Sequence, residues 1–177
     1  VIEPLGPDIR SSTRALVEYD ALVAPLGFDF PGESRPLWKD RMVVVCNAQH
    51  PSLQDGRLTL DDLRELPHAI GTFGPGVLTP VDRVFGELGI NRRVALEVAG
   101  FLPLPFVVQG TDMVAVVPGL LARTFDFPDS ALAVVEPPFG DVLLAEGYWF
   151  APDRLSDSAH RWLFARLDET AELIPTL

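Results

Sequence analysis

The chain has 177 residues, which suits one domain or two small lobes. A domain near this size buries roughly 70% of its unfolded-chain surface, so the core requires no disulfide or metal. Asp and Glu number 25 against 14 Lys and Arg, and the resulting net charge of −11 repels a nucleic-acid duplex. Although 47% of residues are hydrophobic, no run approaches the roughly 20 apolar residues of a membrane span, and no basic segment followed by an apolar one opens the chain. A single cysteine, Cys46, excludes an internal disulfide and suits a reducing cytoplasm.

In chain order, Val1–Pro4 has the composition of a short strand. Asp8–Glu18 carries Ile9, Ala15, Leu16 and Val17 in a partly amphipathic pattern, a helix that Ser11, Ser12 or Thr13 can cap. Asp20–Pro25 is a strand closed by Pro25 and Gly27. Leu37–Cys46 is one extended strand or two, broken at Asn47-Ala48-Gln49-His50-Pro51, where His50 belongs to the turn. Embedded in Met42-Val43-Val44-Val45, Cys46 is a small core residue rather than a nucleophile. Thr59-Leu60-Asp61-Asp62 starts a short helix: Thr59 can cap it, Asp62 can reach back to the Thr59 amide, and the helix ends before Pro67.

His68–Phe73 is a strand stopped by Gly74-Pro75-Gly76. Thr79-Pro80-Val81-Asp82 is a stronger helix start, with a cap, proline at the first helical position and an acid near the positive end. Val81, Val84, Phe85 and Leu88 recur at helical spacing until Gly89. Arg92-Arg93, the only adjacent basic pair, is a solvated turn leading into a strand over Val94–Val98. Phe101, Leu104, Pro105, Val107 and Val108 form a short apolar helix that Gly110 ends, and Thr111 and Asp112 close the turn after it. Met113–Val117 is apolar throughout and stopped by Pro118, as in a strand covered on both faces. Leu132–Val135 is a strand, Pro137-Pro138 an extended connector, and Leu143–Phe150 a long strand containing Trp149. Ser156 caps a final helix whose Ala159, Trp162, Leu163, Leu167 and Ala171 line one face.

The β–α–β–α–β alternation predicts an α/β protein with a parallel or mixed sheet wrapped by helices, and small molecules bind such sheets at the strand ends. The connectors Leu66-Pro67 and Pro137-Pro138 divide the chain into lobe one, residues 1–67 with 141–177, and a βαβαβ lobe two, residues 68–140. Two crossing segments would make a hinge, with a ligand cleft between the lobes. Catalytic motifs are not in evidence: neither a G-x-S-x-G elbow nor a phosphate loop occurs, and His50, His68 and His160 have no neighbour at metal-ligand spacing. His160 lies on the last helix and is expected to be solvated, and the acids are expected as caps or on solvated faces.

The ordered segments resemble the effector-binding domain of LysR-type transcriptional regulators, whose fold is that of type 2 periplasmic binding proteins. Leu16–Val23 resembles that family's helix end followed by an Asp-led strand. Pro36–Asp40 with Met42–Cys46 and His50-Pro51 resembles its strand pair closed by a His-Pro turn. Leu58–Leu63 is similar to the short helix before the hinge, and Phe101–Pro118 to the helix followed by "TD-hydrophobic-VP". Glu146–Phe150 with Trp162-Leu163 resembles the C-terminal elements. Each piece is a few apolar residues and a turn; their order over nearly the whole chain is specific. The Trp149 strand is most similar to the nodulation-regulator and aromatic-compound-sensing branch.

The resemblance implies ligand sensing without bond-making: an inducer between lobes shifts the arrangement of a regulator. An extracytoplasmic solute-binding protein of the same fold is the alternative, and an enzyme such as a dehydratase of related fold is a third reading. Cleft-facing positions would be Thr72, Phe73, Gly100, Phe101 and Leu102 from lobe two, and Ala24, Pro25 and Trp149 from lobe one. Phe73, Phe101 and Trp149 would supply apolar walls, while Thr72 and the amides at a helix start near Phe101 would anchor an anion such as a carboxylate. Each aromatic has a plain alternative as a core residue, Gly100 as a turn with positive φ, and His68 is either a core residue or a polar ligand contact. No cofactor or metal is expected. The expected partners are a small-molecule effector, aromatic or anionic, and further copies of the chain, a dimer or, in a full-length regulator, a tetramer. DNA would be reached through a helix-turn-helix domain that this chain lacks, and membrane not at all. The family's first strand and helix of lobe one also have no counterpart here, Val1–Pro4 resembling the second strand.

Overall fold

In the computed structural model, residues 1–3, 15–27, 30–74, 76–125, 127 and 130–175 are described. The elements run α1 (Ala15–Glu18), β1 (Leu22–Pro25), β2 (Glu33–Asn47), α2 (Leu60–Glu65), β3 (Pro67–Thr72), α3 (Pro80–Glu87), β4 (Arg93–Ala99), α4 (Leu104–Val107), β5 (Val114–Pro118), α5 (Gly119–Arg123), β6 (Leu132–Val135), β7 (Leu143–Phe150) and, after a 3-10 turn over Pro152–Ser156, α6 (Ser158–Leu173). Val1–Glu3 is not a strand. Pro4, the caps at Ser11–Thr13 and the start of the first helix lie outside the described residues. Leu37–Cys46 is part of one strand. Gly119–Arg123, unforeseen, turns into a helix directly after the strand-ending Pro118.

Contacts divide the chain into two compact units, Val1–Asp40 with Leu144–Leu177 and Arg41–Leu143. The divisions fall within β2 and β7, so residues 41–67 group with the middle segment rather than with the chain ends. Strand pairing is the cause: Met42–Cys46 is antiparallel to β5, and Val44–Asn47 is antiparallel to β6.

The Arg41–Leu143 unit is built on the expected βαβαβ segment. β3 lies parallel to both β4 and β5 and therefore sits between them, while β2 runs antiparallel to β5. Val114–Val117 and Met42–Cys46 are buried, as continuous apolar strands covered on both faces should be. Val43, Val45, Ala69, Leu104, Val108, Ala115 and Val117 form its core. Burying Cys46 pushes its thiol up to about 11, which leaves it an unreactive packing group.

The two predicted helix starts are capping boxes. Thr59 and Thr79 each accept the amide three residues on, at Asp62 and Asp82, and those carboxylates take the cap amides in return. Gly89, at φ +63°, ends α3 in a Schellman motif, with Ile90 N–H donating to Phe85 O at 2.8 Å and Gly89 N–H to Gly86 O at 3.2 Å.

In the other unit, β1 pairs antiparallel with β7, and Leu16, Leu22, Ala24, Phe30 and Trp149 form one cluster. A second cluster joins Tyr148 and Phe150 of β7 to Phe164 of α6. Here α6 departs from expectation. Asp157 caps it, while Ser156 closes the preceding turn onto Asp153 O. Phe164 is its buried residue and Trp162 faces solvent, because the rings of Tyr148 and Phe150 stack on Phe164 at 5.4 and 4.5 Å.

Candidate functional site

Five of the eight candidate residues meet at the C-terminal ends of β3 and β4, the ends at which α/β sheets bind small molecules. Two glycines allow the approach. Gly71 has no side chain, and a Cβ there would stand 2.6 Å from Gly100 O. Gly100, at φ +69°, turns the chain and donates its amide to Thr72 O at 2.9 Å. The Thr72 hydroxyl donates to Val98 O at 3.2 Å, leaving its oxygen able to accept. Beyond them Phe73 and Phe101 meet edge to face, 4.8 Å between centroids. Phe101 also packs on the core, whereas Phe73 is 41% and Leu102 66% exposed. The result is an aromatic and aliphatic surface bordered by a hydroxyl.

The expected helix N-terminus is a weaker feature. α4 begins at Leu104, spans four residues and has Pro103 as a cap without a side-chain bond. One turn sums too few peptide dipoles to anchor an anion.

Beneath this surface is a small hollow with His68, Gly71, Thr79, Asp82, Arg92 and Phe101 among its lining, and room for little more than a water. His68 is 1% exposed; its Nε2–H donates to Leu63 O at 2.8 Å, and its ring meets Phe85 edge-on at 6.0 Å. Burial lowers its pKa, Arg92 adds to that and the Leu63 bond opposes it, so His68 is a neutral core group. Arg92, expected to be solvated, is instead paired with Asp82 and laid over Phe85 at 5.2 Å. Burial works against the Asp82 carboxylate, but the Thr79 hydroxyl and amide together with Arg92 hold its pKa below the ordinary range. His50 is likewise spent on structure: Nδ1 accepts from Ser52 N–H at 3.1 Å and Nε2–H donates to Asp112 O at 3.0 Å.

Ala24, Pro25 and Trp149 lie in the other unit, where Ala24 and Trp149 share one cluster. Ala24 and Trp149 are 3% and 4% exposed, and the indole meets Phe30 edge-on at 5.2 Å, so these two are core residues there. Pro25 stands opposite Glu146 in the β1–β7 register. Three polar features of this unit escaped sequence reasoning. Burial, seconded by Asp40, pushes the Glu146 carboxyl up to about 7, and Asp40 is itself 2% exposed rather than on a solvated face. The Tyr148 hydroxyl donates to Asp168 at 2.9 Å, and Arg35 donates to the same carboxylate at 3.2 Å. His160 is no solvated side chain: it bridges Asp157 and Asp20, each at 2.9 Å. A lone acid in an apolar strand was the one available signal, at Glu146. Among the described residues, no three His, Cys, Asp or Glu side chains are grouped to hold a metal, and no helix is long and apolar enough to cross a membrane.

The profile of the LysR substrate binding domain family matches residues 16–172. The chain belongs to that family. Among curated relatives, this LysR substrate-binding domain is 29% identical over 144 residues to "Nodulation protein D" of Rhizobium leguminosarum bv. trifolii, covering 81% of this chain and 45% of that one. It is 31% identical over 133 residues to the "HTH-type transcriptional activator NahR" of Pseudomonas putida, covering 73% and 42%. The domain thus spans about half the length of the curated relatives it matches. Among solved structures it superposes on the regulatory domain of MexT, a transcriptional activator in Pseudomonas aeruginosa, with a TM-score of 0.71 and 26% identity, covering 92% of this chain and 78% of that one. The Synechocystis CcmR regulatory domain, solved with 2-PG, shares the fold at a TM-score of 0.78 and 14% identity, covering 96% and 81%.

Proposed function

We propose that this chain is the effector-sensing domain of a LysR-type DNA-binding transcriptional regulator acting in the cytoplasm, and that its ligand is a small aromatic or anionic molecule. The observation that carries the reading is the family match over residues 16–172. The aromatic surface at the ends of β3 and β4 supports it: Phe73, Phe101 and Leu102 offer apolar contact beside the Thr72 hydroxyl. Sensing requires only that the ligand favour one arrangement of the protein over another, so no bond is made or broken. A transcriptional activator among the curated relatives and another among the solved structures favour regulation over solute delivery or catalysis. DNA contact then belongs to a helix-turn-helix domain elsewhere in the full protein, which works as a dimer or tetramer.

Thermal melting tests the reading, with benzoate, salicylate and hydroxycinnamate as probes. At a hundred times its dissociation constant a probe adds about 2.7 kcal/mol, a shift of roughly 5–10 °C at this size. Phe101→Ala is expected to weaken the probe about tenfold or more, the loss of an aromatic wall. No shift with any probe, or an undiminished shift in Phe101→Ala, overturns it.

A further inference from the structure

His160, at the start of α6, has a carboxylate oxygen on each ring nitrogen: Asp157 faces Nδ1 and Asp20 faces Nε2, both at 2.9 Å. A neutral imidazole carries one N–H and one lone pair, and only the imidazolium donates from both nitrogens. An ionised carboxylate can only accept. Both contacts are therefore hydrogen bonds when His160 is charged, whereas the neutral ring turns a lone pair toward one of the carboxylates. The bonds to Asp157 and then Asp20 hold its pKa above the ordinary 6.5, with desolvation and Arg154 opposing. Beside it on α6, Arg161 is bound to the Leu155 and Ser156 carbonyls at 3.1 and 2.8 Å, and Phe164 presents an uncharged ring at 6.1 Å.

The two partners are not equivalent. Asp157 is fixed as the cap of α6, where the same oxygen accepts the Ala159 and His160 amides at 2.9 and 3.0 Å. Asp20 arrives from the segment between α1 and β1, 140 positions away in the chain, and its side chain is 70% exposed. Asp20 can turn to water; Asp157 cannot without opening the helix end. We propose that His160 is a proton-operated clasp on the entry to β1. Charged, it ties Asp20 to the first turn of α6; neutral, it keeps its one proton on Nδ1 for Asp157 and lets Asp20 go. Arg154 donates to Val17 O at 3.1 Å, a contact with no proton to lose near neutrality. Loss of the His160 proton thus frees the Asp20 end of the segment while the Val17 end stays attached, a local opening rather than unfolding of the unit. β1 ends the strand order of its sheet, next to β7, so the proton sets how firmly a sheet edge is held. The clasp is shut below the folded pKa and opens as pH rises through it.

Nitrogen-15 histidine spectra and amide hydrogen exchange on the 177-residue chain, from about pH 5.5 to about pH 9, test this. His160 is expected to titrate above 6.5 and to become the Nδ1–H tautomer. Exchange at Leu22, which faces Trp149 in the β1–β7 register, is expected to rise about threefold or more in step with that titration, after correction for the intrinsic effect of pH. In Asp20→Asn the side-chain amide can donate to the neutral Nε2, so His160 is expected to titrate lower and the Leu22 step to vanish. His160→Gln, with no titrating ring, is expected to remove the step as well. Matching circular dichroism verifies that both variants fold. An Nε2–H tautomer in the neutral ring, Leu22 exchange indifferent to His160 ionisation, or a step that persists in either variant overturns the clasp.

Discussion

At the scale of single residues, the candidate surface depends on an atom that is missing. Gly71 lets the Gly100 carbonyl pass where a methyl group would stand 2.6 Å away, and both contacting groups are backbone. Gly71→Ala must therefore part the ends of β3 and β4, and a loss of about 1–3 kcal/mol is expected in urea unfolding. Gly86, in α3, has nothing within 4 Å of its added Cβ. Gly86→Ala should be neutral or stabilising by up to about 1 kcal/mol in the same measurement. Equal losses at both sites would show that helix and strand propensity, rather than close approach, governs the difference. The group that Gly71 meets is far from it in the chain, so sequence distinguishes Gly100 as a turn but not Gly71 as a contact.

At the scale of elements, α2 and α3 begin where their first residues say they should. A cap and its answering carboxylate are three positions apart, so Thr59–Asp62 and Thr79–Asp82 are local chemistry and were legible. Thr79→Ala leaves an orphan amide at Asp82 and removes one of the groups holding that carboxylate, and is expected to cost about 1 kcal/mol in thermal melting. α4 and α6 show the limits of the same reasoning. The apolar run at Phe101–Val108 predicts a helix but not that it closes after a single turn. Trp162 fits the apolar periodicity of α6, yet Phe164 takes the interior because the aromatic partners Tyr148 and Phe150 lie under it.

Across the whole molecule, Glu146 and His160 couple stability to pH with one sign, while buried His68 opposes them below its ordinary 6.5, where only the unfolded chain holds its proton. Glu146 is pushed up to about 7 in the folded chain against an ordinary 4.5, because burial disfavours its charged form and Asp40 adds to that. Between those values the folded state holds the extra proton, so stability falls as pH rises through the window. His160 is raised by its bonds to Asp157 and Asp20, with Arg154 opposing. Its contribution is complete below the ordinary 6.5 and is lost as pH rises through the folded value. Above 6.5, where His68 is neutral in both states, melting temperature is therefore expected to fall as pH rises to 8. Glu146→Gln should remove most of the slope and stabilise at pH 8 by on the order of 2 kcal/mol. His160→Ala should flatten what remains; a profile unchanged by both variants would show that other groups set it.

Strand stops, the Thr59 and Thr79 caps, the parallel βαβαβ segment and the family membership were readable along the chain, since each is written in residues a few positions apart or in their order. The burial of Trp149 against Phe30, the His160 bridge to Asp20 and the Tyr148–Asp168–Arg35 cluster were not. Those contacts join positions more than a hundred residues apart or polar groups whose neighbours exist only after the strands pair. Periodicity states that a side chain has a covered face; which atoms do the covering depends on how distant segments are brought together.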